Sequence, residues 1–528
     1  MTTAGPPTPA AARPVIRPDV IVVGAGAGGA AVAARLSEDP GRTVLLLEAG
    51  TVPRRRAAFG SGLLDARLVP GAQPGHAAVQ PYAVHLTPDR PYTVPRGRFL
   101  GGSTTVNGGY FVRARRDDFD RWSARAGPAW SYDRLLPLLR RLENDLDYGA
   151  DELHGDRGPM PVRRTDLRHP AAAAFQAAAH ELGFPEDPDK NAQDAPGFGP
   201  MPSNTVGGVR FNTGISYLLD AFERPNLTVE GNCRVSRVVT RHGRATGVVV
   251  ERERDHTVLM AGEVVVCAGA FASPHLLRLS GIGPRAELER LGIPVVLDLP
   301  AVGARFSDHP QVVMEWMPRH LLDPPPGSWL GAGLHLTSSD GIHPGDLEIL
   351  QSLAPIAGLV SGRPAVTDGP LAFLVSVHSP RTSGRLFTRS ADPAVLPGID
   401  YGYLRTPGDR RRLREAVRTT AALLATRAFS EISLGLVEPG PEVLDDDRAL
   451  DEWAATRLGT SHHTCGTVPM GPPGAHDAAV DHYGRVHGLA GLRVADTSVL
   501  PTAPLRGPAA TAVLIGELVA EAIRRELP

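Results

Sequence analysis

Apolar residues along this chain fall into three patterns, and each predicts a different element. Short continuous runs, Val20 to Val23, Val44 to Leu47 and Val264 to Cys267, have the form of strands buried on both faces of a parallel sheet. The first two are separated by an Ala-rich stretch of helical character, so the region reads strand, glycine turn, helix, strand. Alternating runs, Leu347 to Ser352 and Leu371 to Val377, predict an antiparallel sheet with a solvated or ligand-facing side. Helical spacing marks Ser131 to about Glu143 behind a Ser131 cap, His169 to Leu182 ending at Gly183, Gly408 to Thr426, and Ala509 to Arg524. Further strands are predicted at Leu227 to Glu230, Cys233 to Thr240, Ala245 to Glu251 and Leu492 to Ala495, with a His242-Gly243 turn joining the second and third. The Pro-, Gly- and Arg-rich region from Gly50 to about Arg96 reads as a surface excursion with little regular structure.

The first strand-to-helix unit carries chemistry. Gly24 must turn tightly, Gly26 must let backbone N–H groups reach a pyrophosphate, and Gly29 must let the helix pack close on the strand. The start of that helix adds free N–H donors and a partial positive charge. Glu48 stands nineteen residues after Gly29, at the end of the second strand, where it can accept hydrogen bonds from ribose hydroxyls. A carboxylate there repels a 2′-phosphate, so the expected ligand is FAD or NAD and not NADP. A second strand-to-helix unit, Ala268 to Pro284, places Gly269 where it could touch the cofactor's other edge.

At 528 residues the chain exceeds what one core serves, and two intertwined domains are expected. The net charge of −2 gives no support for nucleic-acid binding. Cys233, Cys267 and Cys465 form neither a disulfide framework nor a metal-ligand spacing, so no metal is expected and a reducing cytoplasm is the simplest location. Residues 1 to 18 lack the apolar segment of a secretory signal and read as a flexible tail. No transmembrane segment is predicted, and peripheral contact at the inner face of the plasma membrane stays open.

Two longer stretches, GRFLGGSTTVNGGYFVRARRDDFD from Gly97 and AGAFASPHLLRLSGIGP from Ala268, resemble the two signatures of the glucose-methanol-choline oxidoreductases. Asp308-His309-Pro310, SHHTCGTVPMG and GLRVADTSVLP extend the likeness across essentially the whole chain. The resemblance implies an α/β fold: a Rossmann-type FAD domain of discontinuous segments (19–164, 226–311 and 458–528) and a mixed or antiparallel-sheet substrate domain (165–225 and 312–457). It implies that Gly24, Gly26, Gly29 and Glu48 hold the ADP half and that Val235 meets the adenine. Asp496 and Thr497 fall beside the pyrophosphate and ribityl chain. Gly101, Ser103, Asn107, Gly108 and Gly109 lie against the isoalloxazine, and Pro508 is included with the cofactor-binding residues. At Val106 some relatives carry a histidine bonded covalently to flavin; valine cannot form that bond, so the FAD should be non-covalent.

The resemblance also makes His463 the catalytic base, with His462 competing for the role. Imidazole suits the task because its ordinary pKa of about 6.5 lets it take an alcohol proton near neutrality as hydride leaves the carbon. Thr464 replaces a usual proline. Gly507 replaces an asparagine or histidine that pairs with the base, which leaves two readings: His463 works with another group, Arg506 or His462, or the vacated space admits a bulky substrate. NGGYFVRA with RGPAAT is similar to a branch associated with mycofactocin, a peptide-derived redox carrier, which would make the reduced carrier the donor and send electrons toward an unknown acceptor of respiratory type. The alternatives are a choline or simple alcohol dehydrogenase or oxidase, and a flavin-binding protein that has lost its chemistry.

Overall fold

The computed structural model describes residues 17–252, 255–339, 341, 343–363, 368–381 and 383–526. The flexible tail expected over residues 1–18 lies outside them except for Arg17 and Pro18. The predicted apolar runs form one parallel sheet in the order Leu227–Glu230, Val44–Leu47, Val20–Val23, Glu263–Val266, Leu492–Val494. Its central strands are β-branched or leucine-rich and buried on both faces, as a sheet covered on both sides requires. The helix Ala27–Leu36 lies against the closing helix Ala509–Glu526. Their contact is backbone to backbone: a Cβ on Gly516 would fall 2.4 Å from the Gly28 carbonyl oxygen. A three-stranded antiparallel meander over Arg234–Met260 joins this unit. Its first turn has positive φ at both His242 (48°) and Gly243 (71°), the combination that follows the twist of a two-residue hairpin.

The second unit is built on a seven-stranded sheet, antiparallel in every pairing. Its order is Ser433–Leu436, Pro310–Pro318, Leu371–Val377, Leu347–Ser352, Leu330–Leu336, Phe198–Pro200, with Gly459–Thr460 paired to Pro310–Pro318. Alternation decides its two faces. Leu347, Ile349, Phe373, Val375 and Val377 enter a core shared with the helices Pro170–Glu181 and Pro407–Leu424. Glu348, Leu350 and Leu374 face the other way, toward the nucleotide-binding unit.

One expectation is corrected. The supposed irregular region before Arg96 contains a long hairpin, Val79–Thr87 against Arg90–Gly97. Pro81, Pro91 and Pro95 disguise it, but Tyr82, Val84, Leu86 and Val94 alternate inward and join the second core. The hairpin also pairs with Gly398–Asp400. By packing it belongs with the substrate-side unit, although it lies inside the 19–164 segment expected to serve the nucleotide unit. Among the described residues no helix is long and apolar enough to cross a membrane.

Candidate active site

A cavity of about 880 Å³ runs between the parallel sheet and the antiparallel one. At one end it is bordered by Gly24, Gly26, Glu48, Val235 and Gly269, and at the other by Tyr110, Glu348, His462 and His463. The residues present fit a flavin dinucleotide. Gly24 has φ +98°, and a Cβ there would lie 2.5 Å from the Cys267 carbonyl oxygen. A Cβ on Gly102 would lie 2.8 Å from the Gly26 Cα, so the two glycine loops touch. The helix that starts after Gly26 has no side-chain cap, and its free N–H groups form an anion site. Glu48 is buried, with one carboxylate oxygen accepting from the Ala25 N–H and the other from the Gly50 N–H, each at 2.8 Å. A carboxylate has further lone pairs for a ribose.

Other expected cofactor residues divide into those that line the cavity and those that shape it. Ser103, Asn107, Gly108, Val235, Gly269, Asp496, Thr497 and Pro508 border it. Asp496 accepts from the Gly269 N–H at 2.8 Å and the Ser273 hydroxyl at 2.6 Å, tying the second helix start to the last strand of the parallel sheet. Gly29, Gly101 and Gly109 lie behind the wall. Gly29 lets the helix approach the Gly24 carbonyl, Gly101 takes φ +90°, and Gly109 at φ +76° donates its N–H to the Asn107 side chain.

At the far end two histidines face each other. His463 Nδ1 and His309 Nδ1 are 2.9 Å apart. The backbone N–H of each is accepted by the same Asp308 oxygen, at 2.8 and 2.7 Å, which fixes both loops. Thr464, in place of proline, is held by polar contacts. Its hydroxyl donates to Asp308 at 2.5 Å and accepts from Arg96 at 2.6 Å. The His309 ring stacks on His378 with centroids 4.2 Å apart. His378 Nδ1 donates to the Leu505 carbonyl at 2.8 Å, and its Nε2 lies 3.3 Å from Glu348. The Ser376 hydroxyl also lies 2.9 Å from Nε2; burial lowers the pKa of this ring, and the Glu348 carboxylate outweighs it and raises the pKa above the ordinary imidazole value. Glu348 also receives Tyr110 Oη at 2.8 Å and His335 Nε2 at 3.0 Å. His378, His335 and their hydrogen bonds hold its carboxyl well below the usual range despite burial. Burial, with the His378 charge next, pushes His463 down to about 3, so its imidazole is neutral at pH 7.

The other two candidates stand differently. His462 borders the cavity in the left-handed region at φ +63°, and its carbonyl accepts from Arg96 at 2.7 Å. Its ring lies beside Tyr92, and burial followed by Arg96 pushes it to about 3. Arg506 is corrected as a partner for His463: its side chain is turned into the interior, toward the Lys190 carbonyl and Asp187, and it does not border the cavity. Nor is the space beside Gly507 vacant. A Cβ there would meet the Tyr110 ring at 3.0 Å and His463 Nε2 at 3.3 Å. Sequence reasoning assigned no role to Tyr110, His309, Glu348 or His378. The one signal was a lone acid, Glu348, inside an apolar alternating strand, where an unpaired carboxylate does not stay buried.

Two acid and histidine groups, His335–Glu348–His378 and Glu143–Asp145–His154, are close enough to hold an ion. Each is already internally paired, the second with Arg113 and Arg164 among its partners.

Comparison with known proteins agrees with this geometry. Models of the GMC oxidoreductase family match residues 19–311 and 380–516. An uncharacterized GMC-type oxidoreductase in the thcA 5′ region of Rhodococcus erythropolis is 41% identical over 94% of this chain and 97% of its own. An oxygen-dependent choline dehydrogenase of Rhizobium rhizogenes is 33% identical over 96% of this chain and 95% of its own. The crystal structure of a pyridoxine 4-oxidase from Mesorbium loti superposes with a TM-score of 0.89 at 26% identity, covering 97% of this chain and all of that one. With its uncapped glycine helix and paired histidines at opposite ends of one cavity, the chain belongs to the GMC oxidoreductase family and is an FAD-dependent oxidoreductase of alcohols.

Proposed function

We propose that His463 is the base that removes the hydroxyl proton of an alcohol donor. The observation that carries this is the His463–His309 contact at the cavity's far end. Two neutral imidazoles facing through Nδ1 need one donor and one acceptor. With His463 Nδ1 as the donor, His309 Nδ1 accepts and His309 carries its own proton on Nε2. His463 Nε2, the atom nearest Gly507, is then left as the acceptor. FAD when bound, non-covalently beside Val106, supplies the hydride acceptor for the donor's carbon. The Asp308 anchor keeps the ring aimed, and burial, with His378 next, keeps it neutral and so open to a proton at Nε2.

The acceptor of the electrons is a separate question from the donor. Choline and reduced mycofactocin are the named donors to set beside simple alcohols. The mycofactocin reading drew support from space at Gly507, which Tyr110 fills. Anaerobic mixing of the yellow holoenzyme with each donor tests the proposal. Bleaching by at least one alcohol, lost in His463→Ala with flavin still bound, is the expected result; unchanged bleaching in that variant overturns it.

A further inference from the structure

We infer that the donor is an uncharged alcohol with an apolar alkyl or aryl body, selected by a floor of leucines beyond His463 and by a carboxylate whose two oxygens are already taken. The inference rests on His463 as the base and adds what lies around it. Leu350 and Leu374 are directly paired across neighbouring strands and border the cavity together with Trp329, Ile356 and Leu359. These side chains form one apolar cluster, and Tyr110 packs on its edge. Tyr110 also abuts Gly507, beside which His463 Nε2 lies, so its ring carries the apolar cluster toward the base. A carbinol group at His463 Nε2 would lay its remaining carbon skeleton on this floor.

A cationic donor such as choline needs a counter-charge or a cage of aromatic faces. Glu348 is the carboxylate at this end, and Tyr110, His335 and the His378 ring already take its two oxygens. Three other carboxylates border the cavity. Glu48 and Asp496 are committed to backbone and serine donors at the glycine end, and Glu251 pairs with Arg234. Of the rings at the far end, Trp329 is pressed on Gly108 and gives its indole N–H to that residue's carbonyl at 2.9 Å. Tyr110 is fixed by Glu348. A quaternary ammonium would therefore lose water and gain no charge partner.

The test is a pair of donors of one shape and different charge, choline and 3,3-dimethyl-1-butanol, with benzyl alcohol and 1-octanol as larger apolar donors. Stopped-flow flavin reduction by the anaerobic holoenzyme is expected to show a ratio of limiting reduction rate to Kd at least about tenfold higher for the neutral isostere than for choline. In Leu350→Ala, Kd for 1-octanol should rise about tenfold with the limiting rate kept, since loss of apolar contacts in a pocket has effects of that order. Choline equal to or better than its isostere overturns the inference. So does reduction by polyols or charged alcohols alone; both results leave His463 as the base intact. If no alcohol of any class bleaches the flavin, the reading of the base itself fails.

Discussion

The Nδ1 atoms of His463 and His309 lie 2.9 Å apart, so one donates and the other accepts, and the two cannot both carry a proton there. The pair therefore sets which nitrogen of His463 is free. Replacing His463 by alanine should lower the rate of flavin reduction about 10²- to 10⁴-fold, the usual contribution of a positioned base, with the visible spectrum unchanged. His309→Ala should cost less, about tenfold or more in kcat, because the ring of His463 remains but is no longer held in one tautomer. Equal losses in the two variants would make His309 a base in its own right.

Gly507 and Tyr110 are a matched pair. Gly507→Asn would restore the side chain usual in this family, yet its Cβ would stand 3.0 Å from the Tyr110 ring. Such overpacking costs about 1–3 kcal/mol and displaces the ring or His463. The expected outcome is a fall in kcat/KM for small and large alcohols alike, partly recovered in the double variant Tyr110→Ala/Gly507→Asn. A loss confined to large donors would mean that the space beside Gly507 serves the substrate and not the tyrosine.

These two cases show where the sequence was legible. The glycine turn, its helix and Glu48 are local in the chain, and their spacing has one physical purpose, so they could be read directly. His463 came from a motif within one loop. Tyr110, His309, Glu348 and His378 come from four separate segments whose meeting depends on the register of three antiparallel strands, which no spacing encodes. Arg506 is adjacent in sequence to Gly507, but its side chain is drawn inward by the Lys190 carbonyl and Asp187, partners more than 300 residues away in the chain that adjacency does not reveal. The hairpin Val79–Gly97 was missed because three prolines outweighed its alternation.

Thr464 replaces a ring constraint by hydrogen bonds. Its hydroxyl serves Asp308 and Arg96 and also lies 3.2 Å from the Tyr401 hydroxyl. Thr464→Val keeps the shape and leaves a buried Asp308 oxygen without that donor. The cost should be about 1–3 kcal/mol of stability, read from the urea midpoint of the holoenzyme. Thr464→Ser, which keeps the hydroxyl, should stay near wild type.

Stability should fall as the solution is acidified from pH 7 to pH 5. His275, His309, His335, His462 and His463 are all depressed, first by burial. Below about pH 6.5 the unfolded chain takes up protons at these positions and the folded one does not, so each can remove up to about 1.4 kcal/mol per pH unit. His154 is shifted the other way, to about 10; burial opposes that shift, and the hydrogen bonds its ring donates to Asp145, Asp189 and Glu143 outweigh it. Its stabilisation is complete below pH 6.5 and is lost as pH rises toward 10, so it does not offset the acid slope. Tm of the holoenzyme should drop between pH 7 and pH 5, and a rise would contradict these environments.

The flavin should leave with acid. Val106, which borders the cavity, has no nucleophilic atom, and the thiol of Cys267 on the same wall is pushed well above its ordinary pKa by burial, with Asp496 adding to the effect. A thiol held protonated is a poor nucleophile, so neither residue offers a route to a covalent link. Trichloroacetic acid precipitation should place all the yellow colour in the supernatant and leave a white pellet. The grip that replaces a covalent bond is the contact between the two glycine loops. In Gly102→Ala the new methyl would fall 2.8 Å from the Gly26 Cα, at a backbone φ of +53°. That variant should fold and lose most of its flavin, seen as a low ratio of 450 nm to 280 nm absorbance. A pellet that stays yellow would mean that another side chain on the cavity wall bonds the ring.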